Sequence, residues 1–191
     1  MEAHTMDEHP RRVVVLGVTG SGKTTAARRI AAAINAHHVE LDALYWEPNW
    51  TEAEVPVFRQ RVHDAIAGHD RWVTDGGYAT IVMDITWIRA DTIIWLDYPR
   101  RLTMWRLFRR TTRRLIRREG LWQGNRESFR AQFLSRNSLF VWAWTSHRKY
   151  QQSYPQHLAR PELSHATIHR FHTPRSFHRW LTTLEAPARA D

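Results

Sequence analysis

Short runs of apolar, β-branched residues alternate along the chain with longer stretches in which apolar positions recur every three or four residues. Val13-Val14-Val15-Leu16 predicts a strand over 12–16, and the stretch after it predicts a helix over 23–36. A second short strand is expected at His38-Val39-Glu40-Leu41, ending in Asp42 and completing a βαβ unit. Thr51 with Glu54 makes a capping-box signature, and Val55, Phe58, Val62 and Ile66, with Gly68 beyond, argue for a helix over about 52–67. Arg71 to Asp75 reads as a third strand ending in an acid and two glycines, followed by a helix over 79–89; Asp91 to Asp97 reads as a fourth strand, stopped by Pro99.

Beyond Pro99 the period becomes helical. A basic helix is expected from Arg100 to about Arg118, with Leu102, Trp105, Phe108, Thr112, Leu115 and Ile116 forming one stripe and Gly120 ending it. Leu121 to Ser128 reads as a loop, and 129–135 and 138–152 as helices, the latter carrying Phe140, Val141, Trp142 and Trp144. A last strand at 166–171 and a helix over 175–184 close the pattern. Strands alternating with helices predict an α/β fold, with a parallel sheet covered on both faces.

One loop in this ladder carries chemistry at once. Gly17-Val18-Thr19-Gly20-Ser21-Gly22-Lys23-Thr24, between the first strand and first helix, matches the phosphate-loop pattern G-x-x-x-x-G-K-[ST] at every fixed position. The glycines let backbone N–H groups turn onto a polyphosphate, Lys23 reaches the β- and γ-phosphates, and the Thr24 hydroxyl ligates Mg²⁺. With Thr25, the loop opens a helix whose first amides favour an anion. ATP with Mg²⁺ is the expected ligand.

Composition narrows the picture. The length of 191 residues fits a single domain, with a flexible tail over 1–10 that is polar and lacks a signal-peptide core. Without cysteine there are no disulfides or thiolate sites, as suits a cytoplasmic protein, and no run is long enough for a membrane span. The net charge of +9 implies attraction to phosphates, but the basic residues are nearly all arginine. Lys23 and Lys149 are the only lysines, so a lysine inside the loop stands out where a given arginine does not.

In an open parallel sheet ligands bind beyond the carboxyl ends of the strands, where Asp42, Asp75 and Asp97 fall. Asp75 either holds Mg²⁺ or its water, or starts a turn before two glycines. Asp42 either binds or deprotonates an acceptor hydroxyl, or caps a following turn. Asp97, before Pro99, reads as a strand-terminating turn residue. Arg106, Arg109, Arg110 and Arg113 lie nearest the sheet end of the basic helix, suited to clamp a migrating phosphoryl group, unless they are a solvated face. Gly124 to Glu127 reads as the tip of a lid spanning about 109–128, with Arg126 its candidate arginine. Tyr45, Trp46 and Tyr78 are available either to stack a ring or to fill the core. The histidines do not converge on one face and read as surface or capping residues.

The loop, Asp42-Ala-Leu-Tyr-Trp, Trp72-Val-Thr-Asp-Gly-Gly-Tyr and Ile94-Trp-Leu-Asp-Tyr-Pro together resemble the adenylate-kinase-like branch of P-loop kinases, over about residues 12–184. More closely the chain looks like the small bacterial topology-modulation proteins. The resemblance implies a three-layer P-loop fold with a five-stranded parallel sheet and a helical lid after the fourth strand. It matches that branch's Asp-Gly motif to Asp75-Gly76, and it puts His172-Thr173-Pro174, with Thr173 and Pro174 as cofactor-binding residues, where the adenine packs. The chain departs from adenylate kinases where Gly77-Tyr78-Ala79 replaces Phe-Pro-Arg, in a short lid without cysteine, and in an acid at Asp42 closer to shikimate- or gluconate-type kinases, which hold a hydroxyl.

The expected function is an ATP- and Mg²⁺-dependent phosphotransferase acting on a small-molecule or nucleotide acceptor. Lys23, Asp42, Arg109, Arg113 and Arg126 are its catalytic candidates and Thr24 and Asp75 its metal ligands. The alternative is a nucleic-acid-associated NTPase using ATP as a switch, distinguishable by a steep loss of affinity with salt. A nucleotide-binding module without turnover is a third option.

Overall fold

The computed structural model describes residues 9–117 and 139–185. The strands are β1 (Arg12–Gly17), β2 (His37–Glu40), β3 (Trp72–Asp75), β4 (Thr92–Leu96) and β5 (Thr167–Phe171). They form one parallel sheet in the order β2-β3-β1-β4-β5. Central β1 places Val15 level with Asp75 on one neighbour and Ile94 on the other.

The helices are α1 (Lys23–Ala33), α2 (Leu41–Tyr45), α3 (Val55–Ile66), α4 (Ala79–Val82), α5 (Arg100–Arg117), α6 (Leu139–Leu158) and α7 (Pro174–Glu185). Strand alternation splits the core into two layers. Val13 and Val15 pack with Ala27 and Ile30 of α1 and Phe177 and Leu181 of α7. Val14 and Leu16 face the other way, onto Phe58, Val62 and Ile66 of α3, Val82 of α4 and Tyr154 of α6. This continuous burial explains why β1 reads as an uninterrupted apolar run.

The differences from the sequence expectation have physical causes. The capping box does not form: Glu54 stands at the N-cap of α3 without a side-chain cap, and the Thr51 backbone carbonyl accepts the Glu47 amide at 2.8 Å. Val55 at the helix start is exposed. The helix expected over 79–89 is regular only over Ala79–Val82 and continues as turns, in a stretch rich in β-branched residues of low helix propensity. Helix α6 runs through Pro155 to Leu158, six residues past its expected end. The helix expected over 129–135 lies outside the described residues.

The stripe read on α5 is turned outward beyond Leu102, which packs half-buried against the core. Trp105, Phe108 and Ile116 are exposed, whereas Thr103, Leu107 and Thr111, four apart, are buried. That face lies against the phosphate loop, where a side chain on Gly20 would strike the Thr103 carbonyl and then the Leu107 Cβ at 3.2 Å. Thr103 satisfies its own hydroxyl by donating to the Arg100 carbonyl at 3.0 Å.

Candidate functional site

The phosphate loop is a cradle made of backbone. Gly20 and Gly22 have φ of +84° and +91°, a left-handed conformation that an L side chain resists. Gly22 is the N-cap of α1, with no capping side chain and no acid in the first turn. The first amides of the helix therefore lack an intrahelical acceptor and keep their preference for an anion. Ser21 Oγ is buried inside the loop without a hydrogen-bond partner, another polar atom left for a ligand. Arg106 closes one side, its guanidinium donating to the Ser21 carbonyl at 3.1 Å and lying 5.5 Å from the centre of the Tyr98 ring.

The metal candidates meet beside this cradle. Thr24 Oγ1 donates to Asp75 Oδ2 at 2.6 Å, joining the first turn of α1 to the end of β3, and Glu40 Oε1 lies 3.4 Å from the same hydroxyl. Asp75 is 1% exposed and its other oxygen is 2.9 Å from His38 Nε2. Parallel register explains the convergence: Glu40 is level with Asp75, and His38 shares its strand face. Hard oxygens on a hydroxyl and one or two carboxylates suit Mg²⁺, so the donor set fits the expected ion. Arg28, one turn along α1 from Thr24, holds the other oxygen of Glu40 at 3.3 Å.

Sequence reasoning missed Glu40 and His38. Their signal was the alternation of two polar residues with buried Val39 and Leu41 on a strand next to the Asp-Gly corner. The histidines as a group are not all surface or capping residues. His38 reaches Asp75, and His147 is buried with Nε2 3.1 Å from the Tyr98 carbonyl. Asp97 is not a free turn residue either: it is buried, accepts two bonds from Arg170 at 3.0 and 2.7 Å, and takes a third from Gln151 at 3.2 Å.

Asp42 stands in the first turn of α2, two residues past the end of β2 at Glu40 rather than at the strand end expected for it. Its Oδ1 accepts from Tyr78 at 2.6 Å. Burial, and then the Asp42 charge, push the Tyr78 phenol far above its usual range, so it stays a proton donor. Tyr78 packs 4.7 Å from Tyr45 and 5.0 Å from Phe58, ring centre to ring centre, and both tyrosines pack half-buried against the core. Gly76, at φ +150°, permits this corner; a side chain there would meet the Leu41 Cβ at 2.8 Å.

The remaining candidates are more dispersed. Arg109 is exposed, its guanidinium 5.5 Å from the centre of the Trp105 ring, and Arg113 lies on the same outward flank. Thr173 caps α7, accepting the Ser176 amide at 3.2 Å, with Pro174 as the first helical residue. Thr25 is exposed at the start of α1, and Thr19 is half-buried in the loop. Arg126 and most of the expected lid lie outside the described residues, as do residues 1–8 of the expected tail. No helix among the described residues is long and apolar enough to cross a membrane.

No protein-family model matches the chain. A shikimate kinase of Corynebacterium glutamicum is 29% identical over 98 residues, 46% of this chain and 58% of that one. One from Corynebacterium efficiens is 31% identical over 96 residues, 44% of this chain and 57% of that one. The chain thus spans little more than half the length of the curated relatives it matches. Among solved structures, a Bacteroides thetaiotaomicron shikimate kinase superposes with a TM-score of 0.53 at 16% identity, covering 92% of this chain and 97% of that one. An Acinetobacter baumannii shikimate kinase in complex with shikimate gives 0.54 at 13% identity, covering 91% and 90%. The five-stranded sheet and these neighbours define a P-loop kinase fold.

Proposed function

We propose that the protein is an Mg²⁺- and ATP-dependent phosphotransferase acting on a small hydroxylated acceptor. The observation that carries this reading is the order of chemistry along three adjacent strand ends. A phosphate cradle follows β1, an oxygen donor set for a cation closes β3, and an aspartate hydrogen-bonded to a tyrosine follows β2. Donor, metal and acceptor groups thus line one edge of the sheet.

The loop amides and Lys23 hold the β- and γ-phosphates, and Thr24, Asp75 and Glu40 hold the metal, directly or through water. When bound, the ion would offset the charge of the phosphates. Asp42 orients the acceptor hydroxyl and takes its proton, with Tyr78 fixing the carboxylate so that its other oxygen is presented. Arg106 touches the loop already; Arg109, Arg113 and Arg126 complete the positive surround for the migrating phosphoryl group, and Thr173 and Pro174 border the adenine. The partners are ATP and the acceptor, within a single domain having a tail at 1–10 and a lid at about 109–128, and the place of action is the cytoplasm. Within the P-loop kinases, we place the chain beside the topology-modulation proteins of the adenylate-kinase-like branch, on the strength of the Asp75-Gly76 corner.

The test is ADP formation by purified protein with Mg²⁺ and ATP across a panel of hydroxylated metabolites, nucleosides and nucleotides. An acceptor-stimulated rate that disappears in Lys23→Ala is expected. Equal ATP consumption by that variant and the wild type would sink the reading.

A further inference from the structure

The two carboxylates beside the phosphate loop are held in the same way. Asp75 receives the Thr24 hydroxyl on Oδ2 at 2.6 Å and His38 Nε2 on Oδ1 at 2.9 Å. Glu40 turns Oε1 to the same hydroxyl, at 3.4 Å, and gives Oε2 to Arg28 at 3.3 Å. Each acid thus presents one oxygen to the Thr24 side and has the other taken. The two ties differ in how dry they are. The Arg28 side chain is 66% exposed, so solvent screens its hold on Glu40, whereas His38 is 17% and Asp75 1% exposed. Strand register fixes the drier pair, because His38 precedes Glu40 by two residues on β2 and Glu40 is level with Asp75 on β3. A hydrogen bond between largely buried groups on paired strands restrains the rotation of a carboxylate more firmly than an exposed arginine does.

An engaged oxygen changes which cation a carboxylate suits. Ca²⁺ collects many oxygen ligands in a flexible shell and readily takes both oxygens of one carboxylate. Mg²⁺ holds to an octahedron, keeps several waters and is satisfied by one or two carboxylates beside phosphate. Among the described residues, no three His, Cys, Asp or Glu side chains converge so as to hold an ion by themselves. The carboxylates at Thr24 therefore offer single oxygens to be completed by water and phosphate, which is the Mg²⁺ pattern. His38 is not itself a ligand in this arrangement: its Nε2 is engaged by Asp75, and Mg²⁺ prefers oxygen to imidazole.

We propose that His38 is a positioning residue that keeps Asp75 to one available oxygen and so sets the nucleotide site for Mg²⁺ over Ca²⁺. This rests on the metal-dependent reading above and deepens it. The imidazole N–H donates to Oδ1 and stops the carboxylate from turning both oxygens to an ion, while Oδ2 stays aimed at the Thr24 side. Without that donor the carboxylate is free to rotate and chelate, which suits the larger ion and costs the smaller one a preorganised ligand.

The experiment reads binding rather than turnover. The Kd of β,γ-imido-ATP is measured by titration calorimetry in saturating Mg²⁺, in saturating Ca²⁺ and in EDTA, with melting temperatures alongside. Wild type should bind more tightly with Mg²⁺ than with Ca²⁺. In His38→Ala, where water reaches the freed oxygen without pinning it, the preference for Mg²⁺ should fall about tenfold while the EDTA value stays put. His38→Asn, whose shorter amide withdraws the donor but keeps a polar group, should show the same fall and serves if His38→Ala does not fold. His38→Gln carries an N–H at a reach similar to Nε2 and should restore the preference. A preference unchanged in both shortened variants, or lost equally in His38→Gln at the wild-type melting temperature, overturns the inference and leaves the donor site standing. So does a wild type that favours Ca²⁺. Affinity weakened equally in all three conditions would mark His38 as a structural prop and overturn the inference too. Wild-type binding that neither ion tightens would strike the metal-dependent reading itself.

Discussion

The two halves of the site are built from different material. The donor half is backbone: a turn of glycines and helix-start amides in which Gly20 has no space for even a methyl group because Thr103 sits on it. The half proposed to take the acceptor is side chain: Tyr78 holds Asp42 through one short hydrogen bond and packs with Tyr45 and Phe58, each from a different part of the chain. Every peptide offers the same N–H, so a backbone cradle holds any polyphosphate tail but leaves little to vary. A wall of side chains is specific to one ligand and open to change by substitution.

Substitutions divide along the same line. Lys23→Ala should have the largest effect, lowering kcat by about a thousandfold with unchanged circular dichroism, because it removes a preorganised charge from the transferring phosphates. Asp75→Asn comes next. It disturbs Thr24 and His38 together and should raise the Mg²⁺ needed for ATP binding by about tenfold to a hundredfold, readable by titration calorimetry at several Mg²⁺ concentrations. Gly20→Ala should cost about 2–3 kcal/mol in urea unfolding, through positive φ and overpacking against α5. Phe58→Leu should cost only about 1 kcal/mol and leave ATP affinity alone, since it loosens the acceptor wall without touching the cradle. A Phe58→Leu variant with weakened ATP binding would erase the distinction between the halves.

The smallest expected effect is alkaline. Burial, reinforced by a hydrogen bond to Glu52, pushes the Tyr45 phenol up to about 12. Burial also pushes Tyr98, beneath the donor side, up to about 12 against the opposing pull of Arg106. Folding thus favours the protonated phenols. Their contribution is fully present below the ordinary tyrosine value of 10.0 and is lost as pH rises from there towards 12. Melting temperature followed with tyrosinate absorbance should show the loss above pH 10. Ionisation of these two tyrosines at the ordinary value with no change in stability would show that burial does not hold them protonated.

The phosphate loop and the alternation of strands with helices were readable because they are local: eight consecutive residues, or one apolar run, specify each. Asp75 was readable as an acid at a strand end, and Asp42 came within two residues of one. Glu40 and His38 were not singled out, because their partners sit across β3 and Thr24, and only parallel register brings them level. The α5 stripe misled for a related reason. Helical period finds an apolar face, but the loop that packs on α5 selects the small face of Thr103, Leu107 and Thr111.

By itself the sequence determined the phosphate loop and the layered parallel sheet, since glycine placement, a lysine at fixed spacing and hydrophobic period act within a few residues of themselves. Tertiary structure decided which side chains share a carboxylate. It turned Tyr78 onto Asp42 and brought Glu40 and Asp75 together at the Thr24 hydroxyl. Such pairings depend on strand order and helix packing, and these are settled only when the whole chain closes around its two cores.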